Sequence, residues 1–543
     1  MKLPIALPGR LADIGFEIPV LARAGILGPD RPDRAARALA ALIQGGQTLP
    51  TALRVAAIKH PDRTMLRDRE GGLTYSEVDR RTTAIGRGLL DLGLEPGQTI
   101  AILCRNGRGL VESALGAGKA GIDVVLLNTM FSAPQVDDVI RAEGAVGLVF
   151  DAEFGPVVEG LESRPLLVTA GDDPAGIGSD DRAKASIGEM SRTSGEVPPP
   201  DRRNPPRFVI LTSGTTGRPK GARRSTTSGL AGLAAMIDRI PRRAGETALI
   251  AAPLFHSWGF LNFALSMTLG ATVVLDGKFD PRRTVGLLRE YRPDVLVAVP
   301  VMLQRMVEVA EPVKSGSLSP GLRVTAVSGS ALPGRLAVDW MDRFGENLYS
   351  LYGSTEVALV AVAGPADLRQ DPGTAGRVLR GTEVRLLDRE GREVPPGAEG
   401  RIFARSGMLF EGYSDGSDKE RVDGFVSTGD VGHFEGPLLR IDGRDDEMIV
   451  SGGENVFPRE VEDAIAAMDG VMEVAVIGVE DERFGQALIA YVVTEPGRGP
   501  DSAGVRAHVR ERLAAFKVPR EVEFLDRLPR NETGKVVKRH IGQ

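Results

Sequence analysis

Between Thr212 and Gly221 the chain reads TSGTTGRPKG. Ser213, Thr215 and Thr216 offer hydroxyls, Gly214 and Gly217 let the backbone turn, and Arg218 and Lys220 add positive charge. Such a loop suits the phosphates of a nucleotide, because turned backbone amides form an anion-binding concavity that side-chain donors complete. The rival is the Walker A loop, which places Lys directly after its second glycine and a hydroxyl after the Lys. Here Arg218 and Pro219 separate Gly217 from Lys220, and Gly221 follows the lysine, so the chain is not a P-loop NTPase. A ligand-free Ser/Thr/Gly surface loop is the plain alternative. Gly116, Gly118 and Gly121 spell GxGxxG, a dinucleotide fingerprint that needs a strand before it and a helix after it. These glycines close a predicted helix and lead into a strand, so they read as small residues for close packing, and a nicotinamide cofactor is not expected.

An apolar run, Phe208 to Leu211, is predicted as the buried strand that delivers the first loop. Around it helix and strand alternate. Ser76 with Asp79 marks a helix start running to Leu92, Thr99 to Cys104 and Asp123 to Leu127 read as strands, and Ser132 to Glu143 as a helix before strand Val146 to Phe150. Residues 171–206 are polar and rich in Gly, Pro, Asp and Ser, and read as a surface excursion. Strands Thr247 to Ala251, Ala271 to Leu275 and Val295 to Val299, with helix Arg282 to Tyr291, continue the alternation. Repeated βα units imply an α/β fold: a large N-terminal domain of mostly parallel sheets covered by helices. Past the polar string GRDDE, Gly443 to Glu447, the pattern changes to a small α+β unit with strands Val474 to Val479, Leu488 to Val493 and Glu521 to Leu525 and helix Ser502 to Ala515. The expected division is a lead-in at 1–50, a large domain at 51–442, a hinge at 443–446 and a small mobile domain at 447–543. In the lead-in, Arg34 to Gln44 is a short helix with an apolar face, and packing on the body of the protein is its favoured reading over membrane contact or a partner surface.

The chain has 543 residues, 42% hydrophobic and 26% charged, with a net charge of -6. That acidity gives no support to nucleic-acid binding through a basic surface. The single cysteine, Cys104, excludes an internal disulfide and a cysteine-built metal site and fits a reducing compartment. Arg10, Asp13 and Glu17 break any signal-peptide core, and no apolar run approaches the roughly 18 residues of a membrane span. A cytoplasmic protein is expected.

The decapeptide resembles the phosphate-binding signature of the adenylate-forming superfamily: acyl-CoA synthetases, luciferases and nonribosomal adenylation domains. Thr212 to Gly217 and Lys220 would then hold the nucleotide phosphates. Six further stretches match the family pattern in its order. PLFHSWG, Pro253 to Gly259, resembles the segment whose His, here His256, stands at the acyl and thiol entrance; alone, His256 would read as structural. SGSALPG, Ser328 to Gly334, resembles the adenine-pocket turn, where Gly329, Ser330 and Ala331 would line the nucleotide. YGSTE resembles the segment in which Tyr352 stacks on adenine, Thr355 meets the phosphate and Glu356 holds magnesium. STGD resembles the segment whose Asp430 accepts from both ribose hydroxyls, and Val426 stands where the family often has an aromatic. Downstream in GRDDEMIVSGGEN, Arg444 corresponds to the ribose-contacting arginine, Asp446 to the hinge residue, and Gly452 with Gly453 to the pantetheine channel. PRNETGKVVKR, Pro529 to Arg539, resembles the terminal signature, and Lys535 matches its catalytic lysine. The resemblance covers roughly residues 50–540.

Within the superfamily the chain is most similar to a bacterial fatty acyl-CoA synthetase. This implies ATP, Mg²⁺ and coenzyme A, and two half-reactions. A fatty acid carboxylate attacks the α-phosphate to give an acyl adenylate and pyrophosphate, and the CoA thiol then displaces AMP. Lys535 would act only while the small domain is docked, before that domain swings about Asp446. Fatty acyl-AMP ligases carry an extra insertion, for which there is no room between Asp430 and Gly443. Two alternatives stand: loading of a separate carrier protein acting in trans, and a non-catalytic nucleotide or acyl binding protein, which Glu356 and Lys535 disfavour. Trp258, Val299, Val301, Met302 and Leu351 are acyl-tunnel residues on one reading and plain core on the other. Acyl length, a homodimer, and peripheral contact at the inner membrane face are left open.

Overall fold

A computed structural model gives the fold. It describes residues 7–28, 31–172, 183–197, 204–212, 220–223, 229–310, 319–354, 356–407, 412–413, 418–451, 454–481, 485–495, 497–531 and 535–541. The chain divides into two compact units, Met1–Ala298 with Gly321–Thr325 and Gly407–Asp418, and Val299–Pro320 with Ala326–Ser406 and Lys419–Gln543.

The first unit is α/β. One sheet runs, strand by strand, Gly412–Tyr413, Lys220–Arg223, Phe208–Thr212, Asp123–Leu126, Thr99–Leu103, Ala145–Phe150, Leu166–Thr169 and Ala183–Ser186. Its six strands from Phe208–Thr212 onward pair in parallel. Side chains from both faces of a parallel sheet are covered by helices, so its strands read as near-continuous apolar runs. Asp123–Leu126 is buried at every position, and Leu103, Val125, Leu148 and Phe150 join one core with Val136 and Phe154. A second parallel set holds Val295–Ala298, Thr247–Ile250, Thr272–Val274 and Thr64–Asp68, with Gly71–Thr74 antiparallel on the end.

The glycines of the GxGxxG string close helix Arg108–Lys119, as expected. A Cβ on Gly116 would lie 2.6 Å from Ile85 Cγ2, and one on Gly118 2.9 Å from the Phe208 ring, so close packing is their function. The helix after strand Gly71–Thr74 begins two residues before its expected start. Thr74 and Glu77 form the capping box, not Ser76 and Asp79, because this start lets Tyr75 bury its ring and donate to the Ala271 carbonyl at 2.8 Å. Residues 171–206 are not wholly irregular: Ala183–Ser186 adds a sheet strand, and Ile187–Arg192 is a short helix capped by Ser186. The lead-in holds two helices, Leu7–Arg23 and Pro32–Gly45, of which only the second was expected.

In the second unit the strands from Leu348–Ser354 to Leu438–Arg444 are antiparallel, in the order Leu348–Ser354, Ala358–Ala363, Thr374–Val378, Leu438–Arg444, Phe425–Glu435, Gly400–Ser406, Thr382–Leu387. The small C-terminal domain has its own sheet, in which Val471–Asp481 and Gly485–Thr494 form a long hairpin and Glu521–Phe524 pairs in parallel. Val476, Leu488, Val492, Val461 and Val505 make its core against helices Pro458–Ala466 and Ser502–Arg512. Among the described residues no helix is long and apolar enough to cross a membrane.

Candidate active site

The phosphate-loop candidate connects two antiparallel strands. Thr212 and Lys220 are the last Cα partners before the connecting loop, so the chain brings the two ends of TSGTTGRPK together. A Walker A loop leads instead into a helix, so topology and spacing agree in excluding it. Ser213, Gly214, Thr215, Thr216, Gly217, Thr355, Gly452 and Gly453 lie outside the described residues.

His256 sits at the N-cap of helix Ser257–Thr268, its ring 4.5 Å from that of Phe255. Among the described residues its Nε2 is buried without a hydrogen-bond partner. Burial lowers its pKa to about 4, so near neutrality the ring is uncharged, with a nitrogen free to accept or donate. The loop before it is clamped by Asn106, whose amide donates to the Ala252 carbonyl at 2.9 Å and accepts from Leu254 N–H at 2.8 Å. Sequence reasoning missed Asn106, because nothing in its own neighbourhood announces a partner about 150 residues away. Trp258 is buried in the same helix and donates its indole N–H to the Ala298 carbonyl at 3.0 Å.

The second unit gathers the other motifs. Asp430 and Arg444 face each other in register on neighbouring strands. The Tyr352 phenol, on strand Leu348–Ser354, donates to Asp430 Oδ2 at 2.6 Å, and Arg444 Nη1 lies 3.6 Å from Oδ1. Burial raises the Asp430 pKa, opposed by the Tyr352 hydrogen bond and by the charges of Arg444, Lys535 and Arg459. Burial and the Asp430 charge push the Tyr352 phenol well above its ordinary value, so it stays a donor. Arg444 is forked onto Asp446 at 2.8 and 3.1 Å, which raises the arginine and lowers the carboxylate. Thr428 Oγ1 accepts from Asp430 N–H at 3.1 Å and donates to Ile402 O at 3.0 Å, fixing the turn. That Ser/Thr turn was legible in STGD but was not read. A cavity of about 450 Å³ opens here, lined by Arg401, Ser427, Gly429, Arg444 and Asp446 among others.

Gly329, Ser330 and Ala331 follow strand Val324–Val327, with Gly329 at φ +96. Ser328 Oγ donates to Leu351 O at 2.9 Å and so ties this turn to the Tyr352 strand. Val299, Val301, Met302 and Leu351 are buried. Glu356 lies in the tight hairpin after Ser354, where Ala358 holds φ +61 and a Cβ on Gly353 would sit 1.9 Å from the Ala358 carbonyl. Ser354 Oγ donates to Glu356 Oε2 at 2.7 Å. Among the described residues no group of three or more His, Cys, Asp or Glu side chains could cage a metal. A lone, oriented carboxylate fits magnesium, which takes one or two carboxylates and completes its shell with phosphate oxygens and water. Lys535 is exposed, and its turn is held by Asn531: Lys535 N–H donates to Asn531 Oδ1 and Asn531 N–H to Lys535 O, both at 2.9 Å. Its ammonium is near enough to lower the pKa of both Asp430 and Asp446.

Residues 53–414 match the family described as AMP-binding enzyme, and residues 460–535 match the AMP-binding enzyme C-terminal domain. A fatty acid–[acyl-carrier-protein] ligase of Streptomyces coeruleorubidus is 33% identical over 483 residues, 86% of this chain and 91% of that one. A feruloyl-CoA synthase of an Amycolatopsis species is 33% identical over 489 residues, 89% of this chain and 96% of the relative. Among solved structures, ATP-bound MatB of Rhodopseudomonas palustris is similar with a TM-score of 0.78 at 26% identity, covering 90% of this chain and 97% of that one.

Proposed function

The chain belongs to the AMP-binding enzyme family, and from that premise we propose that it is a fatty acyl-CoA ligase. As an adenylate-forming acid ligase it uses ATP, Mg²⁺ and CoA. The observation that carries the reading of the site is the convergence of Tyr352, Asp430, Arg444 and Lys535. Asp430, whose charged form the Tyr352 phenol and neighbouring cations favour against the opposing effect of burial, is suited to accept from ribose hydroxyls, and Arg444 to steady the same sugar. Lys535 would balance charge where the carboxylate meets the α-phosphate, a step in which two anions must approach. Magnesium on Glu356 would supply further neutralisation of the phosphate oxygens. His256, uncharged and with its Nε2 unpartnered among the described residues, would meet the acyl and thiol groups at the entrance without adding a charge. Asp446, forked to Arg444 beside the start of the small domain, would be the hinge about which Lys535 is withdrawn.

The buried apolar residues Val299, Met302 and Leu351 of the second unit support a fatty tail over a small polar acid. The relative named as a carrier-protein ligase favours a second reading, with a carrier thiol in place of CoA. The deciding experiment measures pyrophosphate release and thioester formation for fatty acids of graded length, ferulic acid and indoleacetic acid, each with CoA and with a phosphopantetheinyl carrier protein. Turnover that rises with chain length and requires CoA supports the proposal. Preference for the aryl acids overturns the substrate class, and thioester only on the carrier overturns the acceptor.

A further inference from the structure

Helix Pro32–Gly45 is apolar on two sides. Its Ala38 and Ala41 are buried, while Leu39 is 59% exposed, Leu42 43% and Ile43 59%. Leu39 and Ile43 are one turn apart, and exposed Ala35 and Ala36 extend the stripe toward the helix start. Packing on the body, the favoured expectation, therefore accounts for only half of the helix. Among the described residues, five of the ten exposed large apolar side chains lie between positions 18 and 43: Ile18, Leu27, Leu39, Leu42 and Ile43. Lys59 links part of this set, since its Nζ donates to Ile26 O at 3.4 Å and its carbonyl accepts from Arg34 Nη1 at 2.9 Å. Leu27 thus neighbours the start of the exposed helix.

The charge here runs against the rest of the molecule. Residues 1–50 carry six Lys and Arg against four Asp and Glu, in a chain of net charge -6. Arg31 stands exposed at the start of the helix, shared with Asp33 at 3.1 Å, and Arg37 is exposed on a side of the helix away from the stripe. Size decides between occupants. A fourteen-residue helix face is about 21 Å long and about 10 Å wide, about 200 Å². A stable protein interface needs about 800 Å² from each partner. A lipid surface has no such threshold, because an interfacial helix need only sink its apolar face into the headgroup and acyl boundary.

We propose that this face docks on an anionic lipid surface, with Leu39, Leu42 and Ile43 in the acyl boundary and Arg31, at the helix start, among the headgroup phosphates. The inference is independent of which acid the enzyme activates. The test is co-sedimentation of the full-length protein with vesicles of phosphatidylglycerol and phosphatidylcholine, and with phosphatidylcholine alone. Wild-type protein should pellet with the anionic vesicles and more weakly with the neutral ones. Leu39→Glu with Ile43→Glu should weaken partitioning on the order of a hundredfold, since each lost apolar insertion is worth about tenfold or more. Both side chains are exposed, so the melting temperature should hold. Should the glutamates disturb the helix, Leu39→Gln with Ile43→Gln makes the same test. Absence of wild-type binding, or equal binding by wild type and a folded variant, overturns the proposal. So does a wild-type dimer that the variant converts to a monomer, which would make the face an interface between copies.

Discussion

The Tyr352 phenol donates to Asp430 Oδ2 at 2.6 Å, joining residues 78 positions apart that the family resemblance assigns to adenine and to ribose. The bond gives Asp430 a fixed orientation and lowers a pKa that burial has raised. Tyr352→Phe keeps the ring and removes the bond. On the proposed ribose role, ATP binding requires the ionised carboxylate and should be lost as pH falls through the Asp430 pKa. Without the phenol that pKa rises further, so the acid limb of the ATP KM profile should move to higher pH. Asp430→Ala should raise the ATP requirement about tenfold to a hundredfold, the worth of a hydrogen bond to a charged group. A pH profile identical in Tyr352→Phe and wild type would return the phenol to a packing role.

His256 provides a stability signature separate from catalysis. Burial depresses its pKa from 6.5 to about 4. A depressed imidazole contributes stability that is present above pH 6.5 and lost as pH falls from there toward about 4. The loss is at most about 3 kcal/mol. Urea unfolding of wild type and His256→Gln across this window checks it, and the variant should show the shallower decline.

Gly116→Ala tests the packing role of the GxGxxG string. The new methyl would lie 2.6 Å from Ile85 Cγ2 and 3.2 Å from Thr82 O. Overpacking of that kind costs about 1–3 kcal/mol. A melting temperature equal to that of wild type would mean that the two helices have slack there.

The parallel α/β half was legible because its strands are buried runs separated by amphipathic helices, as at Asp123–Leu126 and Ala133–Glu143. The antiparallel strands of 348–444 were not read, because short hairpins turned at Gly424 and Gly436, both with positive φ, leave no helical alternation. Helix Leu7–Arg23 was hidden by Pro19, which a single sequence reads as a breaker. The helix start at Thr74 was ambiguous: the stretch TYSEVD contains two overlapping capping patterns, and only burial of Tyr75 chooses between them. In the site, residue types were legible and their supports were not. Asn106, Ser328 and Ser354 act through hydrogen bonds that exist only once distant or turned segments meet.

Glu356→Gln keeps the size of the side chain and its Ser354 contact but removes the charge. Hard-cation affinity follows ligand charge, so adenylation should fall sharply at limiting Mg²⁺ and recover in part at high Mg²⁺. The measurement is a Mg²⁺ titration of pyrophosphate release. A curve superimposable on that of wild type would remove Glu356 from the metal.

Lys535 tests domain motion and chemistry together. It is an exposed lysine in a turn held by Asn531, and an ordinary solvated charge there could be truncated without effect. Its ammonium nonetheless reaches far enough to lower the pKa of Asp430 and Asp446, so it stands near the carboxylate proposed to hold the ribose. If it neutralises charge between the carboxylate and the α-phosphate, Lys535→Ala should slow acyl-adenylate formation on the order of a hundredfold or more. Thioester formation from supplied acyl adenylate and CoA should survive, because the small domain has then carried Lys535 away. Both half-reaction rates are measured on one variant, with its melting temperature as the control for folding. Equal losses in the two halves would rule out a role confined to adenylation. No loss in either would return Lys535 to the solvated surface.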